Sequence, residues 1–365
     1  MGYIEEHRLN NMDELRVGIL GLRHLHPRSY MPLFHAVQGL KVMAAAEREP
    51  AVLESFVSDF QIHGYSDWRE LLAREPLDLA VIFLPHAECP EAAIACAGRG
   101  VNLLIEKPMA ASAAGLRPVI DAARRAGVIL SVPYVWRYHP VSREMKRLVS
   151  QDTLGSIVGC EGRCAAGRLQ RYIEGHAEWM LQKALSGGGP MLNLGVHWID
   201  LFRWLLADEV VEVVAKNVRI NPKHDIEDNS FALLSFSRGP VLVLDISYTV
   251  PDSYPNGRDL YLSLRGTRGV LAWSPSFEGI RETLFVCGDS GEYAAPGGRY
   301  LDFDLQPQPG YTGMLGVEFL SDLAGAIRTK TDPAITGEDG LRALEVVEAI
   351  YQSAATGRVV TIPAA

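Results

Sequence analysis

The stretch Val-Asn-Leu-Leu-Ile-Glu-Lys-Pro, residues 101–108, decides how the chain is read. Residues 101–105 are mostly apolar, and Glu106, Lys107 and Pro108 follow them. A short apolar run of this kind reads as a strand buried on both faces, as in a parallel sheet. Its end then emerges at the carboxyl edge of that sheet, where open α/β sheets take their ligands. Pro108 disfavours helical backbone at Lys107 and leaves it extended. An ammonium thus stands at the mouth of the sheet with a carboxylate beside it. On these three residues alone, a surface ion pair of little worth is an equal reading.

Outward from this stretch the chain alternates. Residues 15–21 (LRVGILG), 40–46, 77–84 and 128–132 read as further strands. Residues 29–38, 51–60, 88–99 and 112–126 read as helices between them. Alternating strands and helices imply a parallel sheet with right-handed crossovers, the doubly wound architecture that binds dinucleotides. The Gly-rich turn expected after the first strand is altered, reading Gly21-Leu22-Arg23-His24-Leu25-His26. Arg23 stands where a second glycine would let backbone approach a pyrophosphate, and His26 where a third would let helix pack on strand. Either the cofactor is held loosely, displaced or lost, or Arg23 and the following helix N-terminus supply positive charge to phosphate instead. His24 and His26 without a third ligand nearby do not make a metal site, and no metal is expected. Glu47 ends the second strand, placed to accept from adenosine ribose hydroxyls and to repel a 2′-phosphate. NAD is therefore favoured over NADP, with Arg48 keeping NADP as the lesser option.

Length and composition bound the rest. The 365 residues suit two domains, read as a dinucleotide domain over 1–136 and a substrate and oligomerisation domain over 137–365. The chain is 48% hydrophobic and 22% charged, enough apolar residue for a sizeable core. A net charge of −9 argues against a broad nucleic-acid surface. No apolar run approaches the roughly 20 residues of a membrane span. The first 15 residues lack the apolar core of an export signal, and Glu6 at position six argues against myristoylation. The five cysteines are odd in number and form no CxxC pair, which suits reduced thiols in a cytoplasmic protein.

Beyond Tyr134-Val-Trp-Arg-Tyr-His-Pro140, a helix starting at Pro140 runs to about residue 150, and 157–166 reads as a strand. Residues 187–206 carry Gly187-Gly188-Gly189-Pro190 and then a helix. Asn193, His197 and Asp200 are spaced four and three apart and share one face of it. A core histidine satisfied by Asp200 is the plainer reading of that pattern. Residues 210–220, 228–237, 240–250, 259–265 and 268–274 read as closely spaced strands of a mostly antiparallel sheet. Residues 293–309 read as a mobile loop, and helices over 311–328 and 338–355 close the chain. The fold class expected is α/β, with a parallel N-terminal sheet followed by an α+β domain.

These features together resemble the Gfo/Idh/MocA oxidoreductases, which include glucose–fructose oxidoreductase and inositol dehydrogenase. The carriers are Gly21 after the first strand, Tyr65-Ser66-Asp67-Trp68, the strand ending at Pro85, Glu106-Lys107-Pro108, and Gly187-Gly188-Gly189 through His197 and Asp200. The tail over 337–363 also follows the family's closing pattern. The chain departs from the family at Pro85-His86-Ala87-Glu88-Cys89, which replaces its PNxxH turn, and at Asn193, which replaces its usual catalytic aspartate. The resemblance implies a Rossmann domain, an NAD(P) cofactor, a carbohydrate-like substrate, and dimers or tetramers built through the sheet. It places Gly21, Arg23, His24, Glu47, Arg48, Pro85, His86, Glu106 and Lys107 at the cofactor.

The chemistry then assigns roles. Hydride leaves a secondary alcohol only as its hydroxyl proton departs, so a base must reach the oxygen and a cation should steady the alkoxide. Asn193 does not titrate, whereas His197 does near neutrality. Lys107, His197 and Asn193 are the catalytic candidates, with Asn193 holding substrate. Arg163, Tyr172 and Trp179 are further substrate contacts, chosen only by their position between the domains. Two other readings stay open: a lyase or glycosidase that retains and recycles its NAD, and a non-catalytic ligand-binding or regulatory homologue.

Overall fold

Six short segments form the first sheet: β1 (Leu15–Leu20), β2 (Leu40–Ala46), β3 (His63–Tyr65), β4 (Leu79–Ile82), β5 (Asn102–Ile105) and β6 (Leu130–Ser131). The computed structural model describes residues 14–167, 169–251, 253–276, 280–289, 291–294 and 296–363. The reading of the first residues as lacking a leader lies almost wholly outside these, over 1–13. The strands run parallel in the order β3-β2-β1-β4-β5-β6. The central strands are largely apolar because helices cover both faces; Leu79–Ile82 is buried at every residue. The chain reverses direction across the sheet at β1 and β4, and the ends of these two strands frame the crevice in which such folds bind ligands.

Gly21 closes β1 with φ +88°, and a Cβ there would stand 2.9 Å from the Leu84 nitrogen. Only glycine suits that turn. The helix Pro27–Ala36 starts with proline in its first turn, a position that lacks an intrahelical partner for its nitrogen anyway. Within this first domain two elements escape the sequence reading, β3 and the helix Trp68–Arg74 that Asp67 caps by accepting from the Arg69 N–H. The Lys107–Pro108 peptide is cis.

The second sheet has nine strands: β7 (Ile157–Ala166), β8 (Val210–Val218), β9 (Asn229–Phe236), β10 (Val241–Ser247), β11 (Arg258–Gly266), β12 (Gly269–Trp273), β13 (Arg281–Gly288), β14 (Arg299–Asp304) and β15 (Val360–Thr361). Their order is β14-β13-β12-β11-β7-β10-β9-β8-β15, antiparallel except where β10 meets β7. β14 corrects the expectation of a mobile loop over 293–309: Arg299–Asp304 pairs with β13 as the edge strand. Residue 295 of that stretch lies outside the described residues.

One face of this sheet packs on the helix Val196–Leu206. Contact is close at Gly162, where a Cβ would meet Trp198 at 2.6 Å and Phe202 at 2.9 Å. The other face shows Val214, Leu233 and Val243 to solvent, aligned across β8, β9 and β10. No helix among the described residues is long and apolar enough to cross a membrane, and the five cysteines are free thiols.

Candidate active site

The end of β5 delivers Lys107 to the junction of the two sheets, where it is 3% exposed. Its Nζ donates to Asn193 Oδ1 at 2.6 Å and to the Asn193 carbonyl at 3.0 Å. The expected uniform helix from Pro190 instead begins with a π turn, Met191–Gly195, before the α-helix Val196–Leu206. The ammonium meets the backbone inside this wide turn, and such insertion into a helical ladder is a usual cause of distortion. Asn193 passes the contact on, its Nδ2 donating to the hydroxyls of Tyr172 and Tyr248, each at 2.8 Å. An ammonium has three donors. Lys107 spends two on Asn193, so its third is available to a ligand. Burial holds its pKa below the ordinary lysine value, with Glu106 pulling the other way.

His197 lines the same cavity as Lys107 and Asn193. It is buried, and its Nδ1 has no hydrogen-bond partner. The reading of a core histidine satisfied by Asp200 is therefore corrected. Both Asp200 oxygens go to Arg137, at 2.9 and 2.5 Å, and Arg137 also reaches Asp339 at 2.7 Å. Burial, then the nearby Lys107, pushes the His197 pKa well below that of a free histidine. The imidazole is thus neutral near pH 7 and able to accept a proton.

The cavity is about 1190 Å³. Tyr172, Arg171, Arg258, His26 and Tyr311 line it beside the three residues above. Two expected substrate contacts do not reach it. Arg163 lies on the opposite face of the sheet, paired with Asp259 at 2.8 Å and beside Tyr261. Alternation along β7 gives the cavity Cys164 instead. Trp179 turns to the altered turn, where its Nε1 donates to the Arg23 carbonyl at 2.6 Å and its ring meets His86 edge-on. The residues missed are Tyr248, Arg171 and Arg258. Arg171 adjoins Tyr172 in sequence, but nothing local marks the other two.

The crevice at the strand ends fits a nicotinamide dinucleotide in its polar groups. Glu47 Oε2 accepts from the N–H groups of Leu22 and Arg23 at 2.8 and 3.2 Å, which holds the turn without its second glycine. Arg23 itself lies 3.7 Å from Glu178. His26 fills the place of the third glycine, its ring 4.0 Å from that of Tyr311. Arg48 pairs with Glu88 at 3.3 Å. Pro85 turns the chain after β4, its carbonyl accepting from the Cys89 N–H at the start of the next helix. Glu106 Oε1, His86 Nε2 and His24 Nε2 are all buried without a partner at these strand ends. Native interiors rarely leave such atoms unpaired, and hydroxyls and an amide would satisfy them. His24, His26 and Glu106 each offer an atom within 4.8 Å of the others. However, His24 Nδ1 already accepts the His26 N–H at 3.1 Å, so the neutral ring carries its proton on Nε2 and presents a donor where a metal needs a lone pair.

Comparison with known proteins identifies the two domains. Residues 15–134 match the NAD-binding Rossmann fold of the oxidoreductase family, and residues 146–362 match its C-terminal alpha/beta domain. A D-xylose 1-dehydrogenase (NADP+) of Haloferax volcanii is 25% identical over 347 residues, covering 94% of this chain and 99% of that protein. An inositol 2-dehydrogenase of Saccharopolyspora erythraea is 26% identical over 355 residues, covering 95% and 94%. The crystal structure of an aldose-aldose oxidoreductase from Caulobacter crescentus, complexed with glycerol, superposes with a TM-score of 0.80 at 24% identity, covering 96% of this chain and all of that one. At that identity the superposition speaks for the fold alone. The chain belongs to the Gfo/Idh/MocA oxidoreductase family, as an NAD-binding Rossmann domain joined to that family's C-terminal α/β domain.

Proposed function

We propose that the protein is an NAD-dependent dehydrogenase acting on a secondary hydroxyl of a sugar, polyol or derivative. One observation carries the reading: Lys107, Asn193 and His197, from two distant segments, line a single cavity at the carboxyl edge of the parallel sheet. When bound, the nicotinamide ring supplies the hydride acceptor. The His197 imidazole takes the hydroxyl proton. The third Lys107 donor steadies the developing alkoxide, while Asn193 fixes the ammonium's direction. Glu47 favours NAD over NADP, and the pairing of Arg48 with Glu88 draws it away from a 2′-phosphate role. The relative named for NADP makes the direct comparison of both cofactors part of the test.

The apolar row Val214, Leu233 and Val243 supports a homodimer or homotetramer through the open sheet face, and the free thiols suit the cytoplasm. The test is cofactor binding followed by reduction of NAD and NADP across neutral and acidic sugars and inositols. Reduction of NAD by a member of the panel is expected, with kcat/KM keeping its plateau to a pH below the ordinary histidine value of about 6.5. No binding of either dinucleotide at millimolar concentration overturns the reading. The Trp179 contact across the altered turn favours one alternative, a lyase or glycosidase that retains its NAD. That enzyme would form product with no net change in reduced-cofactor absorbance.

A further inference from the structure

Lys107 fixes the orientation of the Asn193 amide. An ammonium has donors only, so the side-chain atom 2.6 Å from Nζ is Oδ1, and the amide nitrogen points the other way. There Nδ2 donates to the hydroxyls of Tyr172 and Tyr248, and both phenol oxygens are acceptors. The Tyr172 oxygen accepts a second time, from the Arg171 guanidinium at 3.0 Å. Both of its lone pairs are then taken. The two phenols are also hydrogen-bonded to each other, their ring centroids 5.9 Å apart. With Tyr248 as donor of that bond, the Tyr172 oxygen accepts three, and only a phenolate can do so.

The surrounding charges decide which phenol keeps its proton. Arg171 lies over the Tyr172 ring, its guanidinium 4.9 Å from the centroid, and Lys107 and Arg258 face the same phenol. Burial opposes ionisation of Tyr172, but Arg171, Tyr248 and Lys107 outweigh it and bring its pKa below the ordinary tyrosine value. Burial, then Tyr172, pushes Tyr248 the other way. Donors and cations aimed at one oxygen favour its charged form.

The charge matters to Lys107. Burial works against its ammonium, Glu106 and then Tyr172 support it, and Arg171 opposes it. The other titratable groups facing it carry little charge. Burial holds His24, His26, His86 and His197 neutral near pH 7, and it pushes the Cys164 thiol up to about 12. The Asn193 amide joins the phenol to the ammonium, and hydrogen bonds in such a chain polarise one another.

We propose that Tyr172 is a positioning residue that acts as a phenolate: Arg171, Tyr248 and Asn193 hold its oxygen as an anion, and through the Asn193 amide it keeps Lys107 an ammonium facing the reacting hydroxyl. This rests on the dehydrogenase reading for what Lys107 does, whereas the ionised phenol is read without substrate or cofactor.

The experiment titrates the full-length protein with alkali and follows the near-ultraviolet absorbance of tyrosinate, parent against Tyr172→Phe. The difference should show one tyrosine ionising below the ordinary value of about 10. Arg171→Gln should move that ionisation up to the ordinary value or beyond, and Arg171→Lys should restore part of the shift. Asn193→Asp should also raise it, because a carboxylate there takes hydrogen bonds from both phenols instead of giving them. In steady-state kinetics the alkaline limb of kcat/KM should move down by about one pH unit or more in Tyr172→Phe, as the loss of an anion near an ammonium requires. Melting curves verify folding, and if Tyr172→Phe does not fold, Arg171→Gln reads the same ionisation with the ring in place. A parent in which no tyrosine ionises early overturns the proposal. So does an early ionisation that survives Tyr172→Phe or is untouched by Arg171→Gln, and so does an alkaline limb that Tyr172→Phe leaves in place. A protein that shows the early tyrosinate but never reduces NAD overturns the dehydrogenase reading and leaves the ionised phenol standing.

Discussion

His197 and Asp200 sit three residues apart on one buried helix, yet the structure treats them in opposite ways. Both Asp200 oxygens are used by Arg137, which also reaches Asp339, while Arg203 adjoins the same group. His197 keeps a buried Nδ1 without a partner, and the residue lines a cavity. A polar group with every bond made is scaffold, since it has nothing left to offer a ligand. One left wanting a partner has been kept for something that arrives later. The same contrast separates the Arg137–Asp200 pair from Lys107, whose third donor is still available. Substitutions on the two sides should fail differently.

The largest effect belongs to the satisfied side. Asp200→Ala leaves Arg137 in the interior with Asp339 as its remaining carboxylate, while Arg203 keeps Glu209. Removing one member of a buried ion pair costs about 3–5 kcal/mol. Urea unfolding should show a loss in that range, and Asp339 places it toward the lower end. If stability is unchanged, the network is not the scaffold described.

Lys107→Ala comes next and acts on turnover. Losing one donor aimed at developing negative charge costs about 10²–10³-fold in rate, or roughly 2.7–4 kcal/mol. Steady-state kinetics should show that drop with a melting transition close to the parent's. Unfolding of the variant, or full activity, would place Lys107 with Asp200 rather than opposite it.

A third prediction concerns acid. Burial pushes His86 down to about 4 and His139 to about 3, while the unfolded chain's histidines titrate near 6.5. Below pH 6.5 the unfolded state therefore binds protons that the folded state refuses. The stability that these two histidines confer is complete above about 6.5, and is lost as pH falls toward 4 for His86 and 3 for His139. The slope is about 1.4 kcal/mol per pH unit for each histidine inside its window. Urea midpoints at pH 7.5, 6 and 5 measure it, and a flat profile would mean that neither ring is held neutral.

This contrast also explains what the sequence makes legible. The parallel sheet is readable because 40–46, 77–84 and 101–105 are apolar runs, each interrupted only at its second residue (Lys41, Asp78, Asn102). β3 and β14 are not, being a short edge strand and one whose residues alternate with charge, as Arg299-Tyr-Leu-Asp-Phe-Asp. Lys107, Asn193 and His197 are readable because motif and helical spacing are local properties. Arg163 is misplaced because one residue of strand register turns a side chain to the other face. The partner of Asp200 is invisible because Arg137 lies 63 residues away. Tyr248 reaches Asn193, and Arg258 the cavity, only through the pairing of long-separated strands.

The smallest expected effect tests the boundary between the two behaviours, at Trp179. Its indole N–H is spent on the Arg23 carbonyl, which makes it scaffold, but the backbone it holds is the turn that faces the cofactor crevice. Trp179→Phe keeps an aromatic ring beside His24 and His86 and removes only the donor. One such bond is worth about 1 kcal/mol. If the contact preorganises the altered turn, the loss appears in dinucleotide affinity as well as in stability, and 1 kcal/mol is about fivefold in Kd. Calorimetric titration with NAD should show that weakening. Unchanged or tighter binding would mean that the tryptophan merely packs against the turn or bars the way in, and the altered glycine motif would then need another source of order.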